Sequence, residues 1–234
     1  MRKLLLLVGL LSAAWAREPV TVAAASSLNA PLRALAARFQ EERGIPVRLV
    51  FAASGKLALQ LRKGAPYDLY LPADPAYLEA LPRPLKARPF ARGTLVLYLH
   101  PRTRLAPQGP EVLLRPEIRR VALAHPELAP YGRAAVQVMR RFGVWQAVQE
   151  KLIYAESVAQ AAGYAAFAAD AGWIDLQSAQ RLAGPYWRPA PESHSPLVYV
   201  AALLVPRREA EAFFDYLQTR RAQSLLARYG YPPP

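Results

Sequence analysis

Apolar positions in the first part of the chain switch repeatedly between a period of two and a period of 3.6. Residues 20–25 and 47–51 are strand-like runs, and each passes through small residues into a serine and then a helical pattern, at Ser26-Ser27 and at Ser54. Leu32, Leu35, Ala36 and Phe39 recur at helical spacing over 29–43, behind Pro31 and before the stop at Gly44. Leu57, Ala58 and Leu61 give a second helix its apolar stripe, and residues 67–71 read as a third strand. A second series follows, with strands at 94–100, 120–124 and 152–155 and helices at 132–142 and 158–169. Residues 197–205 are strand-like again. The tail, 207–229, reads as one long amphipathic helix carrying Phe213, Phe214, Leu217 and Leu225.

Alternation of strand and helix at these lengths predicts α/β architecture, with parallel sheets covered by helices and ligands at the carboxyl ends of the strands. Two small lobes fit the two series better than one large domain. If the tail packs on the first lobe, the chain crosses between lobes near 94–100 and near 197–205. The expected division is 17–94 plus 201–234 for the first lobe and 95–200 for the second.

Both serine turns fall at the carboxyl edge of the predicted first sheet. Unpaired amides at a helix N-terminus point outward, and the macrodipole adds about half a positive charge there, so an oxyanion can be held without a cationic side chain. Serine hydroxyls add neutral donors. The competing reading of Ser27 and Ser54 is the ordinary helix N-cap, the commoner use of serine in that position.

Composition narrows the setting. Arg2 and Lys3 precede an apolar stretch over 4–11, and Ala14-Trp15-Ala16 fits signal peptidase cleavage, so 1–16 read as a leader and the mature chain as starting at Arg17. The stretch is well short of the ~20 residues a spanning helix needs. Without cysteine there is no lipid-modified N-terminal cysteine, disulfide framework, thiolate metal site or cysteine nucleophile. The formal net charge of +13 raises the question of nucleic acid, but the arginines are scattered over helices, as at Arg33, Arg38, Arg43 and Arg62, with no basic run interleaved with aromatics. They read as a solvated surface, and no nucleic-acid partner is expected.

Several segments, in order and spacing, carry a resemblance: Ala25-Ser26-Ser27-Leu28, Phe51-Ala52-Ala53-Ser54-Gly55, Gly64-Ala65-Pro66-Tyr67-Asp68-Leu69-Tyr70, Ala73-Asp74, Ala129-Pro130-Tyr131-Gly132, Ala155-Glu156-Ser157-Val158 and Arg228-Tyr229-Gly230-Tyr231. Over nearly the whole mature chain, the sequence resembles the periplasmic molybdate-binding proteins, the ModA-type solute receptors of ABC transporters. The resemblance implies a type II periplasmic-binding-protein fold, two α/β lobes joined by two crossing strands and closing over one tetrahedral oxyanion. It implies a monomeric periplasmic carrier that delivers molybdate or tungstate to an inner-membrane ABC permease. Molybdenum or tungsten would be present as the bound oxyanion alone, with no cofactor and no catalytic residue.

Carried over by position, the family's ligand residues fall on Ser27, Ser54, Tyr131, Val158 and Asp175, with Tyr131 and Val158 acting through backbone amides. Asp175 is a departure, because relatives often carry a tyrosine hydroxyl donor there and a carboxylate cannot donate unless protonated. Two charges at ~4 Å interact by about 4 kcal/mol at an effective dielectric of 20, so an ionised Asp175 against a dianion is penalised. Asp175 is expected to point away, paired with an arginine, while Tyr131 supplies a hydroxyl in its place. Protonation, or direct ligation of the metal centre, would be other escapes. The departure keeps open a receptor for phosphate, sulfate or a small organic anion. A serine hydrolase built on Ser54, His125 and Asp175 is a remote alternative. His100, His125 and His194 lack metal-ligand spacing. Asp68 and Asp74 read as structural residues of turns.

Overall fold

The computed structural model describes residues 18–79 and 81–234; the leader expected over 1–16 lies outside them. The strands are β1 (Val20–Ala25), β2 (Val47–Ala52), β3 (Leu69–Leu71), β4 (Lys86–Arg92), β5 (Leu95–Leu99), β6 (Val121–Ala124), β7 (Leu152–Ala155), β8 (Ala171–Asp175), β9 (Tyr186–Trp187) and β10 (Val198–Leu203). The helices are α1 (Asn29–Arg43), α2 (Ser54–Arg62), α3 (Pro130–Arg141), α4 (Trp145–Val148), α5 (Val158–Phe167), α6 (Leu176–Leu182), α7 (Arg208–Tyr216) and α8 (Arg220–Arg228).

Two five-stranded sheets form, in the orders β2-β1-β3-β10-β4 and β7-β6-β8-β5-β9. Each has three parallel strands, joined by an antiparallel fourth whose far neighbour is the edge strand. The first sheet is covered on both faces, as parallel strands require. Val20, Val22 and Ala24 share a core with Leu32, Leu35 and Phe39 of α1 and Phe213 of α7, while Ala23 on the opposite face meets Leu57 and Ala58 of α2. Phe39 and Phe213 pack edge to face at 5.0 Å, so Phe39→Ala would cost about 3–5 kcal/mol.

The chain leaves the first sheet at Gly93-Thr94, between β4 and β5, and returns through 188–197. The two passages are tied together where Gly93 N–H donates to Leu197 O (2.8 Å). Val198, Tyr199 and Val200 pair with Arg92, Ala91 and Pro89, so they belong to the first sheet and not to the 95–200 lobe expected from sequence. The return crossing is irregular chain, and the strand expected to cross there lies wholly in the first sheet.

The tail also departs from expectation. In place of one helix over 207–229, α7 and α8 are separated at Leu217–Thr219. Thr219 Oγ1 donates to Tyr216 O (2.8 Å) and accepts from Ala222 N–H (3.3 Å), closing one helix and capping the next. Asp68, at the start of β3, accepts from Thr21 N–H (2.7 Å) and pairs with Arg207 (3.0 Å), a structural clamp away from the carboxyl edge. Among the described residues, no helix is long and apolar enough to cross a membrane.

Candidate functional site

β1 and β2 run side by side, with Ala25 opposite Ala52, so the turns that follow leave the sheet together. Ala25, Ser26, Ser27, Ala52, Ala53, Ser54 and Ala73 from the first lobe, with Ala129, Pro130, Tyr131 and Val158 from the second, line one small cleft of about 200 Å³. The room it leaves for a water-sized body is only about 10 Å³, far below the usual ~300–1,000 Å³ of pockets for organic ligands. The alanines keep side chains out of the way of the backbone, and no charged residue lines the cleft. Of the five residues singled out from sequence, Ser27, Ser54, Tyr131 and Val158 line the cleft; Asp175 does not.

Neither Ser27 nor Ser54 is an N-cap. Ser54 is the first residue of α2, whose cap is Ala53, and Ser27 sits inside the single 3₁₀ turn Ser26–Leu28; neither element has a side-chain cap. Their hydroxyls bond elsewhere. Ser27 Oγ lies 2.6 Å from Tyr199 OH, and Ser54 Oγ accepts from Ala73 N–H (3.1 Å). Their carbonyls are held too, Tyr231 OH donating to Ser27 O (2.7 Å) and Tyr70 OH to Ser54 O (2.6 Å). Burial raises the pKa of all three tyrosines well above the ordinary value, which keeps their protons in place as donors.

The second lobe presents helix starts. Pro130 has no N–H, so Tyr131 and Gly132 carry the first amides of α3, groups without an intrahelical acceptor. Ser157 caps α5 through Gln160 N–H (3.3 Å), and Ala159 N–H reaches across to Ser26 Oγ (3.4 Å), which leaves the Val158 amide at the first helical position. Gly132 is needed for close approach, because a Cβ there would lie 1.9 Å from Ala124 O. The Tyr131 hydroxyl does not take over a ligand's place as expected. It lies 3.0 Å from Tyr199 OH and fits against Gly93 at the crossing, where a Cβ would come within 2.4 Å of it.

The lobes meet around the cleft. Gly55 N–H donates to Leu128 O (2.9 Å), Lys56 pairs with Glu156 (2.8 Å), and Arg133 pairs with Asp74 while lying over the Tyr77 ring. Asp74 thus serves both the turn after β3, accepting from Ala76 N–H, and the inter-lobe contact.

Asp175 ends β8 and caps α6, where Oδ1 accepts from Ser178 N–H (2.9 Å). Tyr231 OH stands 3.3 Å from the same oxygen, but its single proton has the shorter path to Ser27 O. Oδ2 is buried without a partner. The expected arginine partner is not there: among the described residues no cation pairs with this carboxylate, and burial raises its pKa. Asp175 is 1% exposed and stands behind Tyr231, with that one residue between it and Ser27.

The hydrolase arrangement is not assembled. Ser54 is bonded to Ala73, Asp175 caps α6, and the His125 ring packs against Tyr154. Among the described residues no group of three or more His, Cys, Asp or Glu could hold a metal ion. Sequence reasoning did not assign Ser26, Tyr70, Tyr199 and Tyr231 to the site. Ser26, Tyr70 and Tyr231 lay in segments that carry the resemblance but with no role attached, and the one mark on Tyr199 was a tyrosine inside the apolar strand Val198-Tyr199-Val200, which says nothing of partners.

Two α/β lobes around a small cleft that no charged side chain lines define a two-lobed solute receptor. A family model described as bacterial extracellular solute-binding protein matches residues 20–232. The chain is 32% identical to the molybdate-binding protein ModA of Rhodobacter capsulatus, over 97% of this chain and 93% of that one. It is 31% identical to ModA of Azotobacter vinelandii, over 95% and 93%. The solved structure of the periplasmic molybdate-binding protein of Azotobacter vinelandii superposes with a TM-score of 0.82 at 28% identity, covering 92% of this chain and 99% of that one. The chain belongs to the bacterial extracellular solute-binding proteins, in the ModA family.

Proposed function

We propose that this protein captures molybdate or tungstate outside the cytoplasmic membrane and delivers it to an ABC permease. The observation that carries the reading is the donor set. Two serine turns from one lobe and two helix starts from the other face a small cleft that no charged side chain lines. Fully deprotonated tetrahedral oxyanions need such a set, hydrogen-bond donors with aligned helix dipoles and no acceptor to repel them. The ModA relatives support the choice of cargo.

Ser27 and Ser54 are the side-chain donors, and Tyr131 and Val158 donate through backbone N–H. Because they come from both lobes, an anion between them adds contacts only in the closed arrangement and shifts the population toward it. The closed form is then the species a permease recognises. Size contributes to selectivity, since molybdenum and tungsten hold their oxygens farther out than sulfur or phosphorus, and a rigid cage fitted to the larger ion bonds the smaller ones loosely. The protein acts as a monomer, released after cleavage of the leader, with the anion as cargo and no cofactor. Calorimetric titration with molybdate, tungstate, sulfate and phosphate tests the reading. Tight binding of the first two alone is expected, and absence of any response to molybdate would overturn it.

A further inference from the structure

A second cavity lies where the chain passes between the lobes. It leaves about 300 Å³ of room for a water-sized body, against about 10 Å³ in the cleft, which brings it to the lower end of the range for organic ligands. Its frame is tied backbone. Gly93 N–H donates to Leu197 O (2.8 Å), Arg92 N–H to Pro232 O (2.8 Å) and Leu176 N–H to Thr94 O (3.0 Å), so both passages and the segment after α8 are fixed against one another. Pro189, Pro191, Pro196 and Pro232 contribute to the wall, each with φ locked by its ring, together with the buried Leu95 and Leu197. Such a wall gives up little freedom when a ligand settles on it.

The polar part of the lining is cationic. Arg92 and Arg188 border the cavity with Thr94 and His194, and no Asp or Glu does. Elsewhere in the fold Arg102, Arg133 and Arg207 each hold a carboxylate, whereas the guanidinium groups of Arg92 and Arg188 have no hydrogen-bond or ion-pair partner among the described residues. His194 Nδ1 is tied to Ser195 O (2.8 Å). Two like charges bordering one cavity are relieved by an anion between them, and the two oxygens of a carboxylate match a guanidinium fork. An inorganic anion would leave the proline and leucine wall uncovered. An apolar body attached to the carboxylate covers it.

We infer that this cavity is a second binding site, separate from the cleft, for a small organic carboxylate with a flat apolar body. The inference goes beyond the oxyanion reading and stands whether or not molybdate is the cargo.

The test is calorimetric titration with 2-naphthoate, with its uncharged isostere 2-naphthamide, and with acetate, which carries the charge without the body. One equivalent of 2-naphthoate should bind at about 1 mM or tighter, the level for a ligand of its size. The amide should bind about tenfold more weakly, and acetate should give no response. Arg92→Ala and Arg188→Ala should each weaken 2-naphthoate by about threefold and the double variant by about tenfold, because exposed ion pairs are individually weak. Neither arginine lines the cleft, so molybdate binding and the thermal melt should stay as in wild type and report intact folding. Saturating molybdate should leave the 2-naphthoate site available. Absence of 2-naphthoate binding, equal binding of the amide, displacement of 2-naphthoate by molybdate, or an unchanged affinity in the double variant overturns the inference. Failure of wild type to bind molybdate overturns instead the oxyanion reading, and the comparison of 2-naphthoate with its amide in wild type and variants still decides this one.

Discussion

The two lobes build their halves of the cleft from different materials. The first uses side chains: Ser27 and Ser54 present hydroxyls, and Tyr199, Tyr231 and Tyr70 hold those serines from behind. The second offers helix starts: Tyr131 and Val158 stand in the first turns of α3 and α5, Val158 packs in the core, and the Tyr131 ring reaches the crossing at Gly93. A half built from side chains breaks when atoms are removed. A half built from backbone breaks when atoms are added or the amide itself is taken away.

The largest effect should follow from an added atom in the second lobe. Gly132→Ala places a methyl 1.9 Å from Ala124 O, a backbone atom that cannot swing aside, so the start of α3 must move. A destabilisation of about 3 kcal/mol is expected. Molybdate affinity should fall more than ~100-fold, because a small displacement of the amides loses several donor contacts at once. Calorimetry with a thermal melt checks both, and a near-normal affinity would show that the second lobe does not contribute through this helix start.

Next come single-donor deletions, one per lobe. In the proposed donor set Ser54→Ala removes a hydroxyl that would face the anion and should weaken binding by about 10- to 100-fold, since a hydrogen bond to a charged group is worth roughly 1.5–3 kcal/mol. Val158 permits the matching backbone experiment. It is the first residue of α5, where proline is accommodated, and Ser157 before it is already extended (φ −151°, ψ 164°), as a residue preceding proline must be. Val158→Pro therefore deletes one N–H while preserving the helix, and a loss similar to that of Ser54→Ala is expected. Val158→Ala should leave binding within ~2-fold, because it keeps the amide. Equal losses in the proline and alanine variants would contradict a backbone role.

The same contrast explains how much could be read from sequence. Strands 20–25 and 47–51, the stripe Leu32, Leu35, Ala36 and Phe39, and the serine turns were legible because apolar periodicity and small residues mark them directly. Strand β8 and helix α6 were missed, since β8 is buried along its length and the alanine-rich stretch leading into it gives little contrast between faces. Strand β4 has five exposed positions, Pro89 among them, which suits an edge and hides a strand pattern. In the site, Ser27 and Ser54 could be proposed from chemistry, whereas Tyr131 and Val158 came through the family resemblance because an amide donor leaves no mark on side-chain identity. Tyr199 and Tyr231 reach Ser27 from 172 and 204 residues away, a pairing that only tertiary structure creates.

Asp175 sharpens the comparison from behind the cleft. Burial raises its pKa, opposed by the Ser178 contacts at the start of α6; the Tyr231 hydroxyl also faces it, Tyr131 and Tyr199 feel its charge, and no cation offsets that burial among the described residues. A carboxyl whose folded value lies above its unfolded one contributes stability in full below the unfolded value, and that contribution is lost as pH rises through the folded value. Asp175→Asn keeps an oxygen for Ser178 N–H and cannot ionise. Its melting temperature should exceed that of wild type at neutral pH, with the margin shrinking toward acid. A margin that widens on acidification would mean that the carboxylate is stabilised in the folded protein.

Tyr131 carries a small expected effect and the clearest separation of the two kinds of contribution, because it lines the cleft at the start of α3 while its hydroxyl stands 3.0 Å from Tyr199 OH. Were the hydroxyl a direct donor to the anion, Tyr131→Phe would cost about 10- to 100-fold in affinity, as for any hydrogen bond to a charge. With no acceptor beyond it among the described residues, the Tyr131 hydroxyl donates to Tyr199, so the substitution removes the head of the hydroxyl chain and leaves Tyr199 still donating to Ser27. No buried donor is stranded, and the backbone amide is untouched. Molybdate affinity should therefore change by no more than about threefold. A tenfold loss with unaltered stability would move the Tyr131 side chain into the ligand set and make the second lobe, like the first, a half-site of side chains.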